Sequence, residues 1–373
     1  MKFRVERDAF ADAVAWTARS LPSRPTVPVL AGVLLTAGED GLSVSAFDYE
    51  VSAQADVAVT IAEPGQALVS GRLLADITRS LPAHPVDVAA EGSRVTISCG
   101  SSRFTLPTMP IEDYPRLPTM PTVAGTVEST LFGQAVAQVA VAAGRDDTLP
   151  MLTGVRMEID GDRLTLAATD RYRLAVRELT WKPADANAPA VDVLVPARTL
   201  AEAAKSFTGT DDVTIALSSS GVGEGIIGFS GTGRRTTSRL LDAAFPPYRS
   251  LLPSEFAMTA EVDTAALVEA VKRASLVTDR GTPVRMDFAV GSLALSAGGE
   301  DEGRAEEQLE AEFDGEELVS AFNPSFLLDG LTALGSPSAR LLFTSGSKPV
   351  VVRPAGGEPT DYTYLIQPVR LPG

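Results

Sequence analysis

A hairpin pattern that occurs three times constrains this chain more than any other feature. In the best-preserved copy, residues 149–176, apolar and polar residues alternate on both sides of a turn at 160–162, which predicts two strands. The prolines that open the copies, Pro28, Pro150 and Pro283, lie about 122 and 133 residues apart. That spacing is too long for a solenoid repeat and suits three copies of one domain.

Each third is predicted to contain a strand, an amphipathic helix, the hairpin, a second strand and helix, and two closing strands. Proline-rich stretches at 113–118 and 245–253 are typical of linkers. We therefore predict three domains, at residues 1–122, 123–253 and 254–373. The predicted fold class is α+β, with two helices on one face of antiparallel sheet in every domain.

A few individual residues predict where helices begin and which face of a helix is buried. Asp263 and Asn323 are expected to cap the two helices of the third copy. Pro196 is expected in the first turn of the second helix of the second copy. In the first copy, Leu73 is expected to join Leu74 and its neighbours in the buried stripe of the second helix.

Composition excludes several function classes. The 373 residues include one cysteine, Cys99, and one histidine, His84, which excludes a disulfide framework, a Cys/His zinc site and a Cys-His dyad. Cys99 is expected to be a reduced strand residue and His84 an exposed turn residue. The charged first seven residues do not fit a signal peptide, and no apolar run suits a membrane span, so we expect a cytoplasmic protein.

Two motifs suggest chemistry but favour other interpretations. Residues 223–228 match the G-x-G-x-x-G dinucleotide fingerprint, yet the following residues indicate a turn and a strand instead of the helix that the fingerprint needs. The acidic residues at 300–302, with Glu306 and Glu307, indicate a solvated face. No nucleophile–base pair or phosphate-binding loop is present. We therefore predict a protein that is not an enzyme and has no cofactor and no metal.

Motifs spread over the whole chain are those of one family. They are MKF at 1–3, SRPTVPVL at 23–30, ATDRYRLAV at 168–176, LLD at 240–242, FP at 245–246, YR at 248–249, FN at 322–323 and YLIQPVRL at 364–371. In their order and spacing, the chain resembles the bacterial sliding clamp, the β subunit of DNA polymerase III. Its richness in alanine and arginine is similar to that of actinobacterial proteins.

The resemblance implies the DNA clamp fold and a head-to-tail homodimeric ring of six domains that encircles double-stranded DNA. It also implies partners that bind through short peptides containing glutamine and leucine or phenylalanine, namely the replicative polymerase, the clamp loader and repair proteins. No membrane partner is expected. The net charge of −16 is compatible with this role, because screening over about 8 Å separates a basic lining from an acidic exterior. The alternatives are a duplicate clamp that confers resistance to a clamp-directed inhibitor, and a nucleotide-dependent enzyme.

The resemblance also implies three sets of site residues. The partner-peptide pocket would comprise Leu152, Thr169, Arg171, Tyr172, Arg173, Leu174, Pro246, Ser250, Leu251, Asn323, Phe326, Ser347, Pro349, Leu365, Ile366, Gln367, Pro368, Val369, Arg370 and Leu371. The DNA-contacting residues would be Arg24, Arg72, Arg79, Arg145, Arg198, Lys205, Lys272, Arg273 and Arg280. The dimer interface would contain Arg103, Phe104, Leu276, Val277, Glu306 and Glu307.

The pocket departs from the usual pattern of the family. Arg171 and Tyr172 are bulkier than the Gly-His pair expected in enterobacterial clamps, and Ser250 stands where a basic residue is expected. A different interpretation is that Leu152, Leu174 and Ile366 only fill the core. In that case the C-terminal run would be no more than the last strand of the third repeat.

Overall fold

The computed structural model describes residues 1–209, 211–218, 225–278, 282–299, 303–356 and 361–370. Its contacts divide the chain into two compact units. The first unit comprises Met1–Thr130, Lys182–Asp185 and Glu202–Leu240. The second unit comprises Leu131–Trp181, Ala186–Ala201 and Leu241–Gly373.

The first third contains two α-helices and nine strands within the described residues. They are β1 (Lys2–Val5), α1 (Arg7–Ala18), β2 (Gly32–Gly38), β3 (Gly41–Phe47), β4 (Val51–Val57), β5 (Thr60–Glu63), β6 (Gly65–Ser70), α2 (Gly71–Ser80), β7 (Val86–Glu91), β8 (Arg94–Cys99) and β9 (Ser102–Met109). A 3₁₀ turn covers Pro28–Ala31 just before the repeated hairpin.

The second third repeats this order, again with nine strands within the described residues, and a short helix takes the place of the 3₁₀ turn. Its elements are β10 (Thr122–Glu128), α3 (Ser129–Ala140), α4 (Pro150–Thr153), β11 (Gly154–Asp160), β12 (Arg163–Thr169), β13 (Arg173–Thr180), β14 (Lys182–Pro183), β15 (Val191–Pro196), α5 (Ala197–Ser206), β16 (Asp212–Leu217), β17 (Ile226–Gly231) and β18 (Arg234–Arg239).

The last third repeats the order within the described residues, except that no short strand corresponds to β5 and β14. Its elements are β19 (Met258–Asp263), α6 (Thr264–Ala274), β20 (Val284–Ala289), β21 (Gly291–Gly299), β22 (Gly303–Asp314), β23 (Leu318–Phe322), α7 (Pro324–Ala333), β24 (Ser338–Phe343), β25 (Val350–Pro354) and β26 (Tyr362–Ile366). Two 3₁₀ turns, Tyr248–Leu251 and Ser275–Val277, lie in the linker and directly after α6.

The two strands of the predicted hairpin are confirmed, but the second strand ends earlier than predicted. Strands β11 and β12 flank Gly161, whose φ of +57° suits the tight turn. The predicted second strand, however, is interrupted at residues 170–172. There, Oδ1 of Asp170 accepts hydrogen bonds from the backbone N–H groups of Tyr172 and Arg173 at 3.0 and 3.1 Å. This Asx turn reverses the chain and starts β13.

The helix caps are confirmed and two helix details are wrong. Asp263 accepts a hydrogen bond from Ala266 N, and Asn323 accepts from the first turn of α7. Leu73 is 47% exposed because it lies just outside the buried arc of α2. Pro196 is the last residue of β15, and α5 begins at the next residue.

Two large antiparallel sheets, one in each unit, carry the helices. The first has the strand order β14-β10-β16-β17-β18-β4-β3-β2-β6-β9-β8-β7-β1-β5, and the second has the order β15-β11-β12-β13-β26-β25-β24-β19-β22-β21-β20-β23. Helices α1 and α2 contact each other and β2, while α6 contacts α7, β21 and β22. Each sheet thus joins strands from two neighbouring repeats, through β4–β18 in one and β13–β26 in the other.

The single cysteine and the single histidine lie as predicted. Cys99 is buried at the end of β8, where its Sγ donates to the carbonyl oxygens of Pro82 and His84 at 3.2 Å. His84 is exposed.

Candidate partner and nucleic-acid interfaces

A cavity of about 360 Å³ opens beside the Asx turn between β12 and β13. It is lined by Ala143, Gly144, Arg145, Asp146, Leu149, Leu152, Asp170, Arg171, Tyr172, Arg173, Ser325, Phe326 and Asp329. The structure therefore brings together five members of the predicted peptide pocket, which come from α4, the turn, β13 and α7.

Arg173 is the charged centre of this cavity wall. Its Nε lies 2.9 Å from Oδ2 of Asp170, its Nη1 lies 2.6 Å from Oδ2 of Asp329, and its guanidinium lies 4.4 Å from the centre of the Phe326 ring. Burial alone would lower the pKa of Arg173, but Tyr364 and the two carboxylates outweigh burial and raise it. Because its side chain is only 6% exposed, Arg173 ties the turn to α7 and offers little surface to a peptide.

Two stacked rings form the exposed wall of the cavity. The rings of Tyr172 and Phe326 are 6.1 Å apart and nearly parallel, and Tyr172 is 53% exposed. The backbone fixes both residues, because Gln367 N donates to the Tyr172 carbonyl at 2.8 Å and the Tyr364 hydroxyl donates to the Phe326 carbonyl at 2.7 Å. Such a pair presents a rigid apolar face at the surface.

The other predicted pocket residues do not line this cavity. Buried members are Thr169, Leu174, Leu365, Ile366 and Pro368. More exposed members are Pro246, Ser250, Leu251, Asn323, Ser347, Pro349, Gln367, Val369 and Arg370. Leu371 lies outside the described residues. Leu174 and Ile366 are buried core residues, as the alternative interpretation of the pocket expects. Leu152 is buried as well, but it also lines the cavity.

The cavity wall formed by residues 143–149 was not predicted from the sequence. Gly144 N donates to the Leu152 carbonyl at 2.7 Å, and Oδ1 of Asp146 accepts from both N and Oγ1 of Thr148. These hydrogen bonds lower the pKa of Asp146. The Asp-x-Thr spacing, typical of an Asx turn, was the signal that could have identified this loop.

The linker that carries Pro246 and Leu251 is anchored to β11. Glu158 accepts a hydrogen bond from the Tyr248 hydroxyl at 3.1 Å and forms an ion pair with Arg249. Burial, followed by the nearby carboxylate, raises the pKa of the Tyr248 hydroxyl. Leu251, at the end of this anchored segment, is 53% exposed.

The predicted DNA-contacting cations fall into two groups. Those that are exposed and have no carboxylate within ion-pair distance among the described residues are Arg24, Arg72, Arg79, Arg145, Arg198 and Lys205. In contrast, Lys272 pairs with Glu269 at 2.8 Å, and Arg273 forms two hydrogen bonds with Glu307 at 2.7 and 2.8 Å. Arg280 lies outside the described residues.

Besides the strands at the ends of the two sheets, β9 and β22 each leave part of an edge unpaired within the described residues. Residues 102–107 of β9 pair only with β8, because β6 takes up just the last two residues of β9. Residues 303–311 of β22 pair only with β21, because β19 pairs with residues 312–314. Beside these edges, Phe104 is 36% exposed and Leu276 is 83% exposed. Both predicted dimer segments therefore lie at open strand edges.

The motifs that suggested other functions have an ordinary structural explanation. After Gly228, strand β17 continues to Gly231 and turns into β18, so the predicted hairpin is confirmed in the described part of the motif. Residues 219–224 and 300–302 lie outside the described residues. In the remaining chain, no three carboxylate, histidine or cysteine groups are placed to hold a metal ion. None of the described helices has the length and apolar character needed to cross a bilayer.

Comparison with known proteins assigns all three repeats to one family. Models of the N-terminal, central and C-terminal domains of the DNA polymerase III beta subunit match residues 1–118, 126–247 and 249–370. The predicted boundaries at 122 and 253 stay predictions.

Whole-chain relatives agree with the domain matches. The beta sliding clamp of Streptomyces coelicolor is 58% identical over 377 residues, and the beta sliding clamp homolog GriR of Streptomyces muensis is 45% identical over 375 residues, each covering 100% of both chains. The crystal structure of a DnaN sliding clamp from Pseudomonas aeruginosa bound to griselimycin matches with a TM-score of 0.92 at 29% identity, covering 100% of both chains.

Proposed function

This chain belongs to the DNA polymerase III beta subunits, the beta sliding clamps, and from that membership we propose that two copies join head to tail into a ring around duplex DNA. The three-domain sliding clamp fold and the resemblance to actinobacterial clamps, both expected from the sequence, are confirmed. The ring would retain the replicative polymerase, the clamp loader and repair proteins on DNA. Its action would be topological, would need no catalytic group or cofactor, and would take place in the cytoplasm.

The observation that carries the proposal is the way strands pair between repeats. Strand β4 of the first repeat pairs antiparallel with β18 of the second, and β13 of the second pairs antiparallel with β26 of the third. By position in the repeat, β22 is the counterpart of β4 and β13, and β9 is the counterpart of β18 and β26. Within the described residues, both of these strands leave part of an edge unpaired. Since an open edge offers backbone donors and acceptors to another strand, a second copy would complete the pattern.

The register of β4 against β18 can be transferred to this new pair by counting from two turns: the β8–β9 turn, the counterpart of the β17–β18 turn, and the β20–β21 turn, the counterpart of the β2–β3 turn. It sets Arg103 opposite Glu306 and Phe104 opposite Ala305. Arg103 and Glu306 both lie on the exposed face of their sheets, whereas Phe104 and Ala305 both pair with buried residues. An alanine lies opposite an aromatic residue at the same position between β13 and β26. Across the proposed interface, opposite charges therefore face each other on the exposed side, and a small residue faces an aromatic one on the buried side.

Oligomeric state is the first test. Light scattering at micromolar concentration should give about twice the 39.0 kDa chain mass. A monomer at that concentration would contradict the ring.

Contact with DNA would come from the exposed arginines and lysines, and the net charge of −16 would keep it weak. Binding to short linear duplex should be weak and salt-sensitive, yet protein loaded on a nicked circle should stay bound until the circle is cut. Arg24→Ala should weaken DNA contact or loading without changing the dimer. Retention that survives linearisation would mean ordinary binding and would contradict encirclement.

We further propose that partner peptides bind at the cavity beside Tyr172. A single leucine or phenylalanine buried there would contribute roughly 1.5–3 kcal/mol, which suits exchangeable binding. Tyr172→Ala should therefore weaken binding of a polymerase C-terminal peptide, measured by fluorescence anisotropy. Tyr49→Ala is the matched control, because Tyr49 is 49% exposed and lies in the corresponding turn between β3 and β4. Equal losses in the two variants would show that the cavity has no special role.

The alternative of a duplicate clamp with a resistance role shares this fold. The higher identity to the beta sliding clamp of Streptomyces coelicolor than to the homolog GriR favours the ordinary clamp. Rescue of a strain that has lost its resident clamp would support this choice, and failure of rescue by a folded, dimeric protein would favour the duplicate.

A further inference from the structure

Arg273 and Glu307 were predicted for two different sites, yet they bind each other. Arg273 lies in the last turn of α6, and its Nε and Nη2 lie 2.7 and 2.8 Å from the two carboxylate oxygens of Glu307 on β22. This two-point contact is the strong geometry for an arginine–carboxylate pair. The Glu307 side chain is only 23% exposed in the free chain.

The position of Glu307 on β22 makes it unusual. Cross-strand pairing puts it opposite Leu295, on the buried face of the sheet and not on the exposed face that carries Glu306. Its neighbours on the same face of β22 are Ala305 and Leu309. A carboxylate thus lies on the apolar side of an open edge.

In the proposed ring this side would be covered by the partner copy. The transferred register sets Glu307 opposite Ser102 of the partner subunit, with the partner subunit's Phe104 diagonal to it. Neither residue supplies a positive charge, and Arg103 of the partner subunit would lie on the opposite face. A carboxylate covered in this way loses water without gaining a cation from the partner, which is strongly unfavourable.

We infer that Arg273 is a positioning residue for ring closure: it neutralises Glu307 and holds it against α6, so that the partner's β9 can lie on the buried side of β22. This inference rests on the proposed head-to-tail ring. This role replaces the DNA contact expected of Arg273. Two of its guanidinium nitrogens already donate to one carboxylate, so fewer donors remain for a phosphate.

Few charged groups surround Glu307 in the described structure, so the role of Arg273 can be tested directly. Among the described elements packed on this face, charged groups come only from α6: Arg273 itself, Lys272 and Glu269, and the latter two pair with each other at 2.8 Å. Strand β21 contributes apolar and small residues. The state of Glu307 therefore depends mainly on Arg273, which lowers the pKa of this carboxyl below its ordinary value.

The experiment compares dimer dissociation constants, from sedimentation at pH 7.5, for the full chain and three variants. Arg273→Ala should weaken the dimer by about tenfold or more, because a covered charge is left unpaired. Glu307→Gln should have a small effect. The double variant should return to within about threefold of the wild type, since a neutral amide needs no cation. Arg198→Ala is the control: this arginine on α5 has no carboxylate within ion-pair distance in the part of the chain that the structure describes, so its loss should lower duplex affinity and leave the dimer unchanged.

A pH series provides a readout that a merely structural role would not affect. In Arg273→Ala, lowering the pH towards the Glu307 pKa protonates the carboxyl, so this dimer should tighten relative to that of the double variant. No such difference is expected between the wild type and Glu307→Gln. Circular dichroism first confirms that each variant is folded, and Arg273→Lys, which keeps the cation, should dimerise better than Arg273→Ala.

The outcomes separate the two proposals. A wild type that is monomeric at micromolar concentration overturns the ring itself. A dimeric wild type whose Arg273→Ala variant dimerises equally well, or is not rescued by Glu307→Gln, overturns the role of Arg273 alone. Loss of duplex affinity in Arg273→Ala with an unchanged dimer would return Arg273 to the DNA-contacting group.

Discussion

Replacing Leu276 by alanine should separate the two copies of the proposed ring. Leu276 lies in the 3₁₀ turn after α6, beside the open edge of β22, and is 83% exposed in the free chain. So exposed a leucine contributes little to the folding of its own chain. Its apolar surface would be buried only when the partner's β9 edge closes over it.

The magnitude follows from the exposed fraction. Leu276→Ala removes three carbon atoms, worth about 0.8 kcal/mol each when buried, and scaling by the 83% exposure gives about 2 kcal/mol for one interface. A two-chain ring contains two identical interfaces, so the total loss is about 4 kcal/mol. That corresponds to roughly a thousandfold increase in the dissociation constant.

Sedimentation velocity over a dilution series measures this constant directly. The variant should sediment as a monomer at micromolar concentration, with an unchanged urea midpoint once the chains are separated. Val290→Ala is the matched control, because Val290 is 80% exposed but lies at the turn between β20 and β21. If the Leu276→Ala dimer is within threefold of the wild type, or if Val290→Ala dissociates equally, the assignment of the β22 edge is refuted.

Three further predictions concern the rest of the chain. Removing residues 367–373 should abolish binding of a polymerase peptide, measured by anisotropy, and leave the dimer mass unchanged; unchanged affinity would mean that the tail does not form the pocket. The Tyr114 hydroxyl accepts a hydrogen bond from Phe47 N at 2.8 Å, and burial raises the Tyr114 pKa to about 12 from an ordinary value of 10. The folded state therefore resists ionisation, and the free energy of unfolding should fall by up to about 1.4 kcal/mol per unit as pH rises from 10 towards 12. Tyr114→Phe should remove this part of the alkaline loss in urea titrations, at the expense of about 1–3 kcal/mol at neutral pH because the Phe47 N–H loses its acceptor. Gly330→Ala should lower the free energy of unfolding by about 1–3 kcal/mol, since a new β-carbon would lie 2.3 Å from Cε1 of Tyr364; an unchanged thermal midpoint would show that α7 can shift away.

Features set by a few neighbouring residues were predictable from the sequence. Alternation around residues 160–162 predicted β11 and β12, and the short polar side chains of Asp263 and Asn323 predicted where two helices begin. The turn at 170–172 was missed because apolar residues flank it on both sides. The Asx turn that reverses the chain depends on a single oxygen of Asp170.

Contacts between residues far apart in the chain could not be predicted from the sequence pattern. Arg173 appeared among pocket residues through family resemblance alone, whereas its burial depends on Asp329, which lies 156 positions further along the chain. In the same way, Arg273 and Glu307 are 34 positions apart, and each looks like an ordinary surface charge until α6 is packed on β22. Spacing along the chain carries no information about such partners.

In the proposed ring, the unlike edges of β9 and β22 would make this chain what polymer chemists call a bifunctional monomer. A molecule with one joining edge of each kind closes into a ring when the rotation between joined copies returns to the start, and otherwise it extends into an open chain. A change away from both edges that alters the rotation between joined copies would therefore yield open chains of several lengths. Damage to either edge would instead terminate growth. The size distribution of the products alone thus distinguishes a defect in curvature from a defect in joining.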